Sequence, residues 1–106
     1  MSTSVVDVAE ARALGVAVSG ETLTVELSDG RSLAVPTAWY PRLLHGSQQE
    51  RETWRLIGDG EGIHWPMLDE DISVAGLLAG QPSGESQPSL RRWLEERQQA
   101  LAGSRG

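Results

Sequence analysis

The sequence predicts an α+β fold: a three-stranded antiparallel meander, two short helices, a second β-hairpin, a short helix and a C-terminal helix. Three observations predict it. Apolar residues alternate with small or polar ones from Leu14 to Val35, the period of strands with one buried face. Capping residues, prolines and glycines punctuate the stretch from Pro36 to Leu78. Leu90, Trp93, Leu94 and Leu101 fall along one side of a late helical segment, as expected of a helix that docks by a narrow stripe.

The meander spans about Arg12 to Val35. Leu14, Val16 and Val18, then Leu23, Val25 and Leu27, then Leu33 and Val35 form its buried face. Ser19-Gly20-Glu21 separates the first two strands. Ser28-Asp29-Gly30-Arg31 separates the next two, with Asp-Gly as a two-residue hairpin turn that tolerates positive φ. Pro36 removes an amide donor and ends the third strand. Thr37 is then placed to cap a helix carrying Trp39, Tyr40, Leu43 and Leu44, with Pro41 in its first turn and Gly46 at its end. Ser47 and Glu50 have the spacing of a capping box, which starts a second helix running to about Thr53.

Trp54 to Ile57 and Ile63 to Trp65 bracket Gly58-Asp59-Gly60-Glu61-Gly62 and read as a hairpin with a tight reversal. Asp71 or Ser73 can cap a short helix with Val74, Leu77 and Leu78, ended by Gly80. Gln81 to Gln87 has linker composition, Pro88 suits the first turn of the terminal helix, and Gly103 is placed to end it. The organisation is thus an α+β domain over residues 1–80, with a linker and C-terminal helix over 81–106. That helix is too narrow in its apolar stripe to stand alone, so it should dock on the domain or on a second subunit.

Composition narrows the chemistry. A length of 106 residues suits one core. The chain has neither Phe nor Lys, so Trp, Leu, Val and Ile fill the interior, and a Schiff-base or P-loop lysine is excluded. Without Cys there is no disulfide, thiolate nucleophile or Cys zinc site. The start, MSTSVVDVAEAR, does not read as a signal peptide, and no run reaches the roughly 18 apolar residues of a membrane span. A soluble, cytoplasmic protein is the expectation. Residues 1–84 carry twelve acids against five Arg, a net −7, while the remainder is +1. An acidic body disfavours nucleic-acid binding by this chain alone and suits a basic protein partner.

Three of the four Trp, the only Tyr and both His lie between Pro36 and Leu78. His64 precedes Asp69, Glu70 and Asp71, yet a metal site needs about three ligands converging on one point, and this spacing along a strand into a loop does not ensure it. Asp69-Glu70-Asp71 reads more simply as carboxylates that accept the free amides of the next helix. His45 suits a helix C-terminus. The glycine-rich hairpin carries Asp59 and Glu61 and would repel phosphate. No serine sits in a nucleophile elbow. Trp39, Tyr40, Trp54 and Trp65 are expected to close a core, with Arg42, Arg51 and Arg55 pairing with local acids or stacking on rings. No catalytic residue, metal ligand or cofactor is therefore expected. The candidates for contact with a protein are Trp39, Tyr40, Trp65, Trp93, Asp69 and Asp71.

The strand ending DGRSLAVP, the segment TAWYPRLLHGSQQERETWRLIG and the segment GIHWPMLDEDISVAGLL resemble a small prokaryotic family, domain of unknown function 2442, over about residues 10–80. Pro36, Trp39, Pro41, Leu43, Arg51, Trp54, the run Ile63 to Pro66, Leu68, Asp69, Asp71, Ile72, Leu77 and Leu78 match its pattern. The resemblance implies an α+β domain that often self-associates, and half of a two-gene module suggestive of toxin and antitoxin. Some relatives append a helix-turn-helix, for which the tail after residue 80 offers only one helix. The functional expectation is a non-enzymatic interaction module, antitoxin-like, that holds a small basic protein and forms a homo-oligomer. Alternatives are a DNA-associated regulator using Arg91, Arg92 and Arg97, or a small enzyme or metal protein using His64, Asp69 and Asp71.

Overall fold

The computed structural model describes residues 11–104. Strands β1 (Ala13–Val18), β2 (Thr22–Leu27) and β3 (Ser32–Pro36) form an antiparallel sheet in that order. The alternation of the sequence is realised most cleanly in β2, where Leu23, Val25 and Leu27 are buried. In β1 the parity breaks. The register shifts between Ala13 and Gly15, so Ala13 is buried and Leu14, expected on the inner face, is 64% exposed. A bulge inserts one residue and flips the side chains on one side of it.

The β2–β3 turn also differs from the expected Asp-Gly pair. Gly30 donates its amide to Leu27 O (3.1 Å) and Leu27 donates to Arg31 O (2.8 Å), making a three-residue loop of Ser28, Asp29 and Gly30. Asp29 fixes it by accepting from Arg31 Nε at 2.8 Å.

Thr37 does not cap a helix. Its side chain is fully buried and its hydroxyl donates to Ser19 O at 2.9 Å, stapling the end of β3 to the first turn. Thr37–Trp39 is a single 3₁₀ turn, and α1 (Pro41–His45) starts afresh with Pro41 in its first turn. The expected capping box starts α2 (Gln48–Glu52): Ser47 Oγ accepts from Glu50 N (3.1 Å) and Glu50 Oε1 accepts from Ser47 N (2.8 Å). Arg51, rather than pairing with an acid, caps α1, donating to the carbonyls of Leu43 and Leu44 at 2.8 Å each.

Strands β4 (Arg55–Ile57) and β5 (Gly62–Trp65) form the expected hairpin, but a third strand, β6 (Glu70–Ser73), completes a second antiparallel sheet in the order β4-β5-β6. Glu70 and Asp71 are therefore strand residues, and the cap of α3 (Val74–Leu78) is Ser73, whose Oγ accepts from Gly76 N at 2.9 Å. Gly80 N to Leu77 O and Gln81 N to Gly76 O, both 3.0 Å, close that helix with a Schellman pair of bonds.

The two sheets and the short helices close on one core, in which Leu23, Val25, Leu43, Ile63, Trp65, Leu68, Val74 and Leu77 are almost wholly excluded from water. Helix α4 (Gln87–Ser104) runs past Gly103, which does not end it. It docks on its own domain through buried Trp93 and partly buried Leu90 and Leu94; the side chain of Leu101 lies outside the described residues. Among the described residues, no helix is long and apolar enough to cross a membrane.

Candidate functional site

The register of the second sheet sorts its residues onto two faces. Leu56, Ile63, Trp65 and Ile72 point into the core, so the rows Arg55–His64–Asp71 and Ile57–Gly62–Ser73 form the outer face. Ile57 stays 39% exposed there. Gly62 contributes no side chain, and a methyl group added to it would lie 3.1 Å from Ile57 Cγ1 and 3.3 Å from Ile72 O. The result is an open hollow of about 460 Å³ lined by Ile57, Gly58, Glu61, Gly62, Asp71, Ile72 and Ser73. Its floor is aliphatic and its rim carries two carboxylates, of Glu61 and Asp71, both well exposed.

His64 and Asp71 face each other across the strands, and His64 Nδ1 donates to Asp71 Oδ1. That contact orients the imidazole as a carboxylate does in many sites. Asp69 does not join them. It sits in the β5–β6 turn at φ 52°, and its carboxylate lies 3.6 Å from Arg42 Nη1. Among the described residues no group of three or more His, Asp or Glu is placed to hold a metal ion.

A second hollow, of about 220 Å³, opens on the other side of β6, between that strand and residues 81–84, with Tyr40 and Glu70 in its lining. Glu70 is half-buried and makes no ion pair or hydrogen bond among the described residues. Burial pushes its carboxyl up to about 7, with Glu85, Asp71 and Asp69 adding to the effect and Arg42 opposing it. Burial, helped by Glu70, also raises the phenol of Tyr40, which donates to Gln81 O at 3.0 Å.

Beside this hollow, Arg42 holds the approach to α4. It donates to Glu85 (2.6 Å from Nη2) and to Asp69 O (3.1 Å), and its guanidinium lies 5.0 Å from the centre of the Trp93 ring. Arg97 flanks the same ring at 4.7 Å and bonds Glu50 at 2.9 and 3.0 Å. The bond to Arg42 holds the Glu85 carboxyl below its ordinary range, as Arg97 does for Glu50.

The side chains singled out for contact thus have divided positions. Trp65 is fully buried and donates its indole N–H to Arg51 O at 3.0 Å; Tyr40 and Trp93 are buried as well, and Trp39 is partly so. The core takes up these aromatics, while Asp69 and Asp71 remain on the surface. The outer hollow escapes sequence reasoning, and Glu70 reads there only as one of three carboxylates serving the next helix, because a four-residue strand with two adjacent acids gives no clear alternation.

A family model described as Protein of unknown function (DUF2442) matches residues 15–83. The chain belongs to this family. The DUF2442 match runs from within β1 through the second sheet and α3 and stops short of α4. A crystal structure of a protein of unknown function from Rhodospirillum rubrum shares 30% identity with a TM-score of 0.63, over 74% of this chain and 96% of that one. The solution structure of an uncharacterized protein from Chromobacterium violaceum shares the fold, with a TM-score of 0.59 and 19% identity over 81% of this chain and 75% of that one. A comparison with curated proteins finds no significant match.

Proposed function

We propose that this DUF2442 protein is a non-enzymatic, cytoplasmic interaction module, the antitoxin-like half of a two-gene pair, whose partner is a small basic protein. The observation that carries this reading is the outer face of the second sheet, which no other described element covers, an aliphatic hollow with a carboxylate rim on a body of net charge −7. Such a surface suits an apolar anchor flanked by cations. His64 and Ser73 serve the fold here: the imidazole bonds Asp71, and the hydroxyl caps α3. Against a phosphate-binding role for α4, Arg97 is bound to Glu50, and Glu95 and Glu96 share the helix. The chain also self-associates in this reading, with exposed Leu14 available to a second copy.

Coexpression with the product of the neighbouring gene, followed by size-exclusion chromatography, tests the proposal. A shared peak at micromolar concentration is expected, lost in Ile57→Glu while circular dichroism stays unchanged. Separate peaks for the wild-type proteins would overturn it.

A second reading, a metal or catalytic role for His64, is supported by its contact with Asp71. Metal found by elemental analysis of the purified protein, with a thermal shift on adding divalent ions, would favour it over the first.

A further inference from the structure

We propose that the edge of β6, unpaired among the described residues, accepts an extended segment of a basic protein partner as a fourth strand of the second sheet, with an Arg or Lys beside Glu70. This rests on the interaction reading above and names the surface and the chemistry of what it binds.

Among the described residues, β6 is the last strand of its sheet. Val74 N donates to Glu61 O at 2.9 Å, which makes Glu61 and Val74 a hydrogen-bonded pair in the β5–β6 register. Antiparallel ladders alternate, so Ile63–Ile72 and Trp65–Glu70 are the other bonded pairs, and Asp71 and Ser73 turn their backbone groups away from β5. The carbonyl of Ser73 serves α3 as that of its capping residue. The N–H and C=O of Asp71 and the N–H of Ser73 have no partner among the described residues, and both residues are exposed. Three groups in a row on one edge are what an added strand bonds.

The other edges are blunted. β1 has its bulge, β3 carries Pro36, and β4 is three residues long. β6 pairs without a bulge, and its guard is charge: Glu70 and Asp71 repel another acidic strand, including a second copy of this chain, and admit a basic one.

The two hollows lie on opposite sides of this strand, and Asp71, Ile72 and Ser73 line both. Consecutive side chains of an added strand point to opposite faces. One therefore lies beside Asp71 and Ser73 on the outer face, and the next meets Glu70 on the inner face, a carboxylate short of a counter-ion, with Asp69 nearby and Arg42 already bound to Glu85. The recognised pattern carries a base at every second position.

The test is an NMR titration of the 15N-labelled full chain with the hexapeptide acetyl-Thr-Arg-Val-Arg-Val-Thr-amide at pH 8. The amides of Asp71 and Ser73 should shift and exchange more slowly with solvent. Replacing both Arg of the peptide by Glu should abolish this. Asp71→Pro, which lacks the edge-facing N–H that an Asp71→Ala control keeps, should bind about tenfold more weakly than that control. Unmoved β6 amides at millimolar peptide, or equal shifts with the Glu peptide, would overturn the proposal. So would β6 shifts on diluting the protein alone, which would place a second copy there. If the neighbouring gene product co-elutes while β6 stays silent, this inference falls and the functional reading stands; if nothing co-elutes, the functional reading falls.

Discussion

Replacing Glu70 by Gln should stabilise the protein at neutral and higher pH, because the fold holds this carboxyl where its charge is poorly solvated and unpaired. The ordinary value of 4.5 rises to about 7 in the fold, with burial as the largest cause. Between those two values the folded chain keeps a proton that the unfolded chain releases. The contribution of Glu70 to stability is therefore fully present below pH 4.5 and is lost as pH rises through about 7. At ~1.36 kcal/mol per pH unit the ceiling is about 3.4 kcal/mol. The side chain keeps partial contact with water, and screening reduces the expected penalty to about 1–2 kcal/mol.

Glutamine keeps the shape and removes the charge. Urea unfolding followed by Trp fluorescence at pH 8, 6 and 4.5 should show Glu70→Gln with a higher midpoint and unchanged slope at pH 8, a smaller gain at pH 6 and none at pH 4.5. The depressed carboxyls of Asp29, Glu50 and Glu85 lose their own contributions as pH falls, in the variant and the parent alike, so they cancel in the difference. The competing account is that attraction to Arg42 outweighs burial. It predicts that Glu70→Gln destabilises at pH 8, and a lower midpoint there would refute the reasoning.

Trp65→Ala should cost about 3–5 kcal/mol in the same urea assay, since the ring is fully buried and its N–H satisfies Arg51 O; a loss below about 1 kcal/mol would place the ring at the surface. Gly60→Ala should cost roughly 2–4 kcal/mol, because Gly60 has φ 94° and a methyl group there would lie 2.6 Å from Ala13 O, a backbone atom that cannot yield cheaply. Trp93→Ala should release α4 from its two guanidinium neighbours. Hydrogen exchange should then show amides from Leu90 to Arg97 losing roughly 3 kcal/mol of protection while those of β2 keep theirs.

Much of the fold was legible because its signals are local. Ser47 and Glu50 are three residues apart and satisfy each other's amides, so the start of α2 could be read from four letters. Leu23, Val25 and Leu27 alternate without interruption and are buried as their period requires. The misreadings share a different cause. Thr37 has the composition of a cap, but its hydroxyl is captured by Ser19 O from 18 residues away. Leu14 has the parity of a core residue, but a bulge that depends on the partner strand turns it outward. Asp71 has the position of a helix cap, but pairing with β5 sets it opposite His64. In each, a tertiary partner won over a local preference. The hollows on either side of β6 were illegible for the same reason. Gly62 reads as part of a turn, and its role as a floor exists only once β4 and β6 flank it.

The absence of lysine acquires a reason from the same geometry. Arg42 at once grips Glu85, which lies 43 residues on, reaches the carbonyls of Leu68 and Asp69, and faces the ring of Trp93. Arg51 spans the last two carbonyls it caps in α1 and also reaches Gln48 Oε1. A single ammonium on a flexible stem has neither the planar fork nor the flat face that these positions use, and it sheds its water less readily. A small acidic domain with no disulfide and no Phe is thus tied together at its seams by guanidinium groups that bond backbone and carboxylate together. Those partners are already engaged inside the fold, so the acids left over for a basic partner include Glu70 and Asp71 on the edge of β6, which these arginines do not reach.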